Sequence, residues 1–404
     1  MIPFSPPRTD EKTIEAVSEV LRSGWITTGP KTREFEQKLT EYTGADKTLC
    51  VSSASAGLEL MLRWFGVKEG DEVIVPAYTY AASANVVVHC GAKVVFVDSN
   101  SDDFNISIEK IRAAITSNTK VIIPVDIGGM PCDYDAINEL VKSSEICSKF
   151  QPTNDTQKKL GRILVLSDAA HSIGGIYKGQ RCGILTDITV FSFHAVKNLT
   201  TAEGGAICLK LPSDFDPEEE YQKLNIKALH GQNKDALSKM KIGNWRYDIV
   251  EAGYKYNMTD IMAAIGLVEL ERYENDMLRR RSFIFDRYSE LLSPCKHLQL
   301  PLYKDESRTS SYHVYLLRIN GINEVKRDLI IEEIYKNEVA VNVHFTPLPM
   351  MTFYKNLGYK IKDFPVAYDN YSREISLPVY YDLTDENIDI VASTVLSAIQ
   401  KHCE

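Results

Sequence analysis

Seven short runs rich in valine and isoleucine, residues 48–51, 72–75, 94–97, 121–125, 163–166, 188–193 and 206–209, constrain this chain more than any other feature. They are too short for helices, and helix-length segments separate most of them. Continuous apolar strands of this kind are buried on both faces, which suits a largely parallel sheet covered by helices: an α/β fold. In such sheets ligands gather beyond the carboxyl ends of the strands, so the residues that follow each run hold the functional information.

After the first run come Ser52, Ser53, Ala54, Ser55, Ala56 and Gly57, then Leu58, Met61, Leu62 and Phe65 at the spacing of an amphipathic helix. The free N–H groups and small side chains of such a start suit an anion, although Ser53 or Ser55 would equally serve as a plain helix cap. After the second run, Pro76-Ala-Tyr-Thr-Tyr80 puts an aromatic side chain at a strand end, where it either stacks on a flat ligand or joins the core. After the fifth run comes Ser167-Asp168-Ala-Ala-His171. A carboxylate emerging from a buried strand needs a cation or a metal, because an unpaired buried charge is costly. A protonated ring nitrogen would satisfy it, and His171 would reach the same ligand unless it is a structural histidine.

The sixth and seventh runs are joined by the loop of Phe191-Ser-Phe-His-Ala-Val-Lys-Asn-Leu-Thr-Thr-Ala-Glu-Gly-Gly205. Lys197 lies there between Val196 and Leu199. A lysine partly desolvated in that setting has a lowered pKa and becomes a nucleophile for Schiff-base chemistry; alone, it would read as a surface lysine. Together, a phosphate cradle, an aromatic face, a carboxylate and a loop lysine are the requirements of pyridoxal phosphate. A metal site fits less well, since no His, Cys or carboxylate cluster has ligand spacing. A nicotinamide site fits less well, since no post-strand loop reads GxGxxG.

The net charge of −9 argues against nucleic acid or an anionic membrane as the main partner. The eight cysteines are scattered without zinc-like spacing and read as reduced thiols. The opening Met-Ile-Pro-Phe-Ser-Pro-Pro lacks an export-signal pattern, and no apolar segment approaches the ~18 residues of a membrane span. A cytoplasmic protein with no membrane segment is expected.

The remaining chain divides near residue 250, after a polar, lysine-rich stretch over 226–248. Residues 1–250 are expected to form the large domain and 251–404 a smaller α+β domain. Helices are expected over 13–21 and from 35 onward, joined by a connector over 23–30. A long helix over 259–281 ends in Arg279-Arg-Arg281, read as a solvated helix end. Strands over 314–319 and 339–344 then alternate with helices over 327–337 and 385–399.

With these pieces in place, the chain resembles the DegT/StrS family of pyridoxal-phosphate-dependent nucleotide-sugar aminotransferases along nearly its whole length. The resemblance rests on Gly24-Trp-Ile-Thr-Thr-Gly-Pro30, Val51-Ser-Ser-Ala-Ser-Ala-Gly57, Ser167-Asp-Ala-Ala-His171, Ser192-Phe-His-Ala-Val-Lys197 and Thr201-Ala-Glu-Gly-Gly205, continued by Gly253-Tyr-Lys-Tyr-Asn257, Tyr312-His313 and Ile375-Ser-Leu-Pro378. Within the family the wording is most similar to the branch that makes UDP-4-amino-4-deoxy-L-arabinose.

The resemblance implies an aspartate-aminotransferase-like architecture, fold type I, with a seven-stranded, mostly parallel sheet and a small C-terminal domain. It implies that Lys197 bonds to the cofactor aldehyde and then carries the proton between cofactor and substrate carbons. Asp168 would pair with the pyridine nitrogen, His171 with the ring 3-oxygen, and Tyr80 and Ala170 would sandwich the ring. Ala54, Ser55 and Ser192 would hold the phosphate. Asn257 would reach the phosphate of a neighbouring subunit, making a homodimer with shared sites. Thr27 and His344 would lie near the nucleotide keto-sugar, and L-glutamate, leaving as 2-oxoglutarate, would be the amino donor. No metal is implied. Two other classes exist: relatives that dehydrate sugars, which carry histidine for the lysine or an iron–sulfur cluster, and a non-enzymatic regulator. Lys197 and the scattered cysteines weigh against them. The departures are Ala54-Ser55 for the usual Gly-Thr, Tyr80 for tryptophan in the arabinose branch, Asp126 where relatives often have histidine, and a longer polar insertion at 143–162, expected as a surface excursion without catalytic duty.

Overall fold

In the computed structural model, which describes residues 1–233 and 246–403, all seven expected runs are strands of one sheet. They are β1 (Lys47–Val51), β2 (Glu72–Pro76), β3 (Lys93–Val97), β4 (Thr119–Ile122), β5 (Leu164–Asp168), β6 (Ile188–Ser192) and β7 (Gly205–Leu209), in the order β1-β7-β6-β5-β4-β2-β3. Strands β3, β2, β4, β5 and β6 run parallel, while β7 is antiparallel to both neighbours. The reversal has a simple cause. A direct loop, without a crossover helix, joins β6 to its neighbour β7, and such a connection can only pair strands antiparallel. That loop carries Lys197.

Helices α1 (Glu11–Ser23) and α3 (Ala54–Trp64) follow the apolar spacing of the sequence, α2 (Pro30–Thr43) begins ahead of its expected start at 35, and α4 (Ala82–His89) follows β2. α3 begins directly after β1, with Ser53 accepting from the Ala56 N–H, and buries Leu58, Met61 and Leu62. Gly57 lets α3 lie close on the sheet, since a Cβ there would sit 2.9 Å from Val190.

The C-terminal part builds a three-stranded antiparallel sheet from Leu298–Gln299, Tyr315–Ile319 and Glu374–Leu377. The strand expected over 339–344 does not form. Val339 pairs with Ile2 and Asn342 with Ser376, and two separate partners leave only isolated bridges. The helix expected over 259–281 also differs. It runs from Asp260 to Arg272, widens over Tyr273–Leu278, and continues from Arg279 to Leu292. The arginine run is therefore internal. Arg281 is buried and donates to the carbonyls of Val379 and His313, each at 3.1 Å, so the reading as a solvated end holds only for exposed Arg279.

The insertion at 143–162 forms two short helices, Ser144–Lys149 and Asp155–Leu160. It is better anchored than a surface excursion. Asn154 and Gln157 both donate to the Phe65 carbonyl at the end of α3, at 3.0 and 2.9 Å, and Arg162 grips Asp187 through two bonds of 2.7 and 2.6 Å.

Buried apolar residues form two clusters. The larger packs both faces of the seven-stranded sheet and also takes in Val314, Leu316, Leu348, Tyr354, Phe364, Ala367 and Tyr371. The smaller begins at Ile284 and Phe285 and is completed by the final helix, through Val391, Val395 and Ile399. Of the lysine-rich stretch over 226–248, residues 234–245 lie outside the described residues.

Candidate active site

A cleft of about 320 Å³ opens beyond the carboxyl ends of β1, β2, β5 and β6, as the sheet topology requires. Ala54, Ser55, Tyr80, Asp168, Ala170, His171, Ser192, Lys197 and His344 all line it. Thr27 and Asn257 do not. Thr27 is exposed in the loop before α2, and Asn257 lies beside Val51, its amide donating to Thr28 at 2.6 Å. A larger groove of about 610 Å³ between α1, α2 and Asp260–Arg272 is lined by lysines, glutamates and Tyr42 over an aliphatic floor.

Lys197 is half-buried on the β6–β7 loop, its own N–H returning to the His194 carbonyl. Desolvation lowers its amine to about 8, with the Asp168 carboxylate acting in the opposite direction. Such an amine gives up its proton near neutrality, which an exposed lysine does not.

Asp168 ends β5, with only 5 % of its surface exposed. Burial raises its pKa, while the Ser83 hydroxyl at 2.7 Å, the Ala170 N–H at 3.2 Å and the charge of Lys197 pull it back. A cationic ring nitrogen at the carboxylate would oppose the desolvation in the same way.

His171 accepts from the Gly128 N–H at Nδ1, 3.3 Å away. Its proton therefore sits on Nε2, and burial holds its pKa well below the ordinary value, so the ring is a neutral donor. His313 packs against it with the rings tilted by 44° and centroids 4.3 Å apart, its Nδ1 bonded to Asn198 at 2.8 Å.

At the opposite end of the cleft, the first turn of α3 presents N–H groups that have no intrahelical partner, next to the Ser192 hydroxyl. β7 presses against this turn: a Cβ on Gly205 would lie 2.7 Å from the Ala54 nitrogen. An anionic group at the helix start and a flat cationic ring reaching Asp168 are thus both accommodated. Tyr80 is largely exposed at the rim and leans on Phe345, with centroids 5.8 Å apart.

The sequence matches the DegT/DnrJ/EryC1/StrS aminotransferase family over residues 7–396. The chain belongs to that family. Spr1654 of Streptococcus pneumoniae, a candidate sugar aminotransferase, has been solved in PMP and PLP forms. The PMP form is 47% identical, covers 99% of this chain and 100% of its own, and superposes with a TM-score of 0.96; for the PLP form the TM-score is 0.94. An uncharacterized protein of Methanocaldococcus jannaschii is 40% identical over 99% of this chain and 98% of its own length. SpsC of Bacillus subtilis, a spore coat polysaccharide biosynthesis protein, is 35% identical over 99% and 97%. This DegT-family protein is a pyridoxal-phosphate-dependent aminotransferase of fold type I.

Several residues at or beside the cleft were not singled out from the sequence. Ser83, buried on α4 and outside the cleft lining, donates to Asp168 at 2.7 Å. His313 belongs to a motif that carried the resemblance without a role. His194 and Glu203, 3.6 Å apart, flank the mouth. Asp126 serves the scaffold. It is buried, accepts from Tyr134 and Ser172 at 2.6 Å each, and is absent from the cleft lining.

Proposed function

We propose that this enzyme moves an amino group from an amino acid, L-glutamate first among them, to a nucleotide-linked keto-sugar, with a UDP-4-keto-sugar as the leading acceptor, in surface-polysaccharide synthesis. The observation that carries the chemistry is a desolvated amine, Lys197, in one cleft with the Asp168 carboxyl and the start of α3. When bound, pyridoxal phosphate supplies an aldehyde that takes up nitrogen and a ring that withdraws electrons. Lys197 would hold the cofactor covalently and, when free, its Nζ would take and return a proton. Asp168 would keep the ring nitrogen protonated. His171 would donate from Nε2 to the ring oxygen. The Ala54 N–H, Ser55 and the Ser192 hydroxyl would hold the phosphate, and Tyr80 and Ala170 would hold the ring.

The sugar acceptor is supported by likeness to SpsC and Spr1654, and the nucleotide by the Trp25 loop, whose wording matches the arabinose branch. A homodimer is part of the reading. Asn257, outside its own cleft, would reach the partner's phosphate, and Ile26, Ile249 and Val250 remain more than half exposed or close to it for a second copy to cover. Thr27, on the same loop as Ile26, would meet the sugar nucleotide from that side. A cytoplasmic setting suits the eight free thiols.

The test is direct. Wild-type protein loaded with cofactor is expected to be yellow, to bleach with glutamate, and to aminate a 4-keto UDP- or dTDP-sugar in a substrate screen. Lys197→Ala should lose the visible absorption of the bound cofactor and at least ~10³-fold in turnover. Full turnover and an unchanged spectrum in the variant would end the assignment.

A further inference from the structure

His344 enters the cleft from the C-terminal part of the chain, and its ring is wired to a buried carboxyl. Its Nδ1 lies 2.9 Å from the Ser376 hydroxyl, and that hydroxyl lies 2.5 Å from Glu374 Oε1. Glu374 and Ser376 are two residues apart on the strand Glu374–Leu377, so their side chains share a face. The other carboxyl oxygen accepts the His344 N–H at 3.0 Å, and both strand residues are fully buried. With Nδ1 taken by Ser376, Nε2 is the ring nitrogen left for the cleft.

We propose that His344, Ser376 and Glu374 form a proton relay that takes a proton from the ammonium of the incoming amino acid and stores it on Glu374. This rests on the aminotransferase reading, under which the donor arrives as an ammonium and must shed a proton before its nitrogen can attack. The substrate N–H bond breaks as a proton joins Nε2. The Nδ1 proton passes to Ser376 Oγ, and the Oγ proton passes to Glu374 Oε1. The imidazole ends neutral in its other tautomer, and no heavy-atom bond changes.

The alternative, His344 holding the proton alone, fails on charge. Burial and the facing Lys197 amine hold its pKa at about 4, and His171 and His313 share the same confined space. Glu374 is held at about 8 by burial, against the pull of Ser376, the His344 N–H, Arg327 and Arg318, with the Tyr78 hydroxyl also nearby. Ser376 and Glu374 act through His344 and are positioning residues.

¹⁵N-histidine NMR of the cofactor-loaded enzyme reads the relay. His344 should carry its proton on Nε2 while Glu374 is protonated and on Nδ1 once it ionises, switching with a midpoint at about 8. Ser376→Ala and Glu374→Gln should each abolish the switch, keep the visible absorption of bound cofactor, and slow single-turnover reaction with the amino donor ~10–100-fold at saturation. A single His344 tautomer across the titration in wild type, or unchanged single-turnover rates in both variants, would overturn the relay. A wild-type switch without reaction with any amino acid would keep the coupling of His344 to Glu374 through Ser376 but overturn its use on an amino donor, and with it the aminotransferase reading.

Discussion

Gly205 shows how closely the cofactor end of the cleft is built. A Cβ there would meet the Ala54 nitrogen and the Ser53 carbonyl carbon at 2.7 Å and the Phe191 oxygen at 2.8 Å, all backbone atoms that cannot swing aside. Gly205→Ala is therefore expected to push β7 off the start of α3. A stability loss of about 1–3 kcal/mol should accompany weaker cofactor binding, read by thermal denaturation and by titration of the visible absorption. At this scale the sequence was informative where chemistry is local. Asp168 declared itself as a charged group at the end of an apolar run, and Lys197 by its place between Val196 and Leu199 in the loop after the next run, read together with the other pieces. Ser83 and His313 did not, because a serine or histidine acquires its role only from what folding sets opposite it.

Single elements borrow their ends from one another. The residue before α2, Gly29, has no side chain to cap it, and Asp260 of the helix Asp260–Arg272 supplies the cap across the chain. Its carboxylate accepts from the N–H groups of Gly29 at 2.7 Å, Thr32 at 2.9 Å and Lys31 at 3.1 Å, and from the Thr32 hydroxyl at 2.7 Å. This cap also ties down the loop that carries Trp25 and Thr27. Asp260→Ala should cost about 2 kcal/mol in denaturant unfolding and raise the KM for the sugar acceptor more than that for the amino donor. An unchanged acceptor KM would separate the loop from substrate binding. The spacing of apolar residues revealed both helices, yet nothing local to residue 260 signalled that it caps a helix more than two hundred positions earlier.

For the molecule as a whole, buried carboxyls set the response to pH. Glu36, between the Cys50 N–H at 2.8 Å and the Tyr221 hydroxyl at 2.8 Å, is raised by burial to about 7. An acid whose folded pKa lies above its unfolded value favours the native state most at low pH. That contribution falls away as pH rises from the unfolded value through about 7. Asp10, Asp276 and Asp305 are lowered and act oppositely, but at more acidic pH. Glu36→Gln is therefore expected to be more stable than wild type at about pH 8, by an amount on the order of 3 kcal/mol, with the difference vanishing near pH 4.5. Denaturant midpoints at the two pH values test this, and an equal shift at both would refute it.

The sequence by itself determined the seven buried strands, the strand ends where a ligand gathers, and the acid and amine of the site, because burial of apolar runs and desolvation of charge act over a few neighbouring residues. Only the tertiary structure decided that β7 runs against its neighbours, that Arg281 is interior, that Val339–His344 forms no strand, and that His344 reaches Glu374 through Ser376. Each of those depends on which distant segment ends up opposite, and hydrogen-bond partners far apart in sequence leave no periodic trace in it.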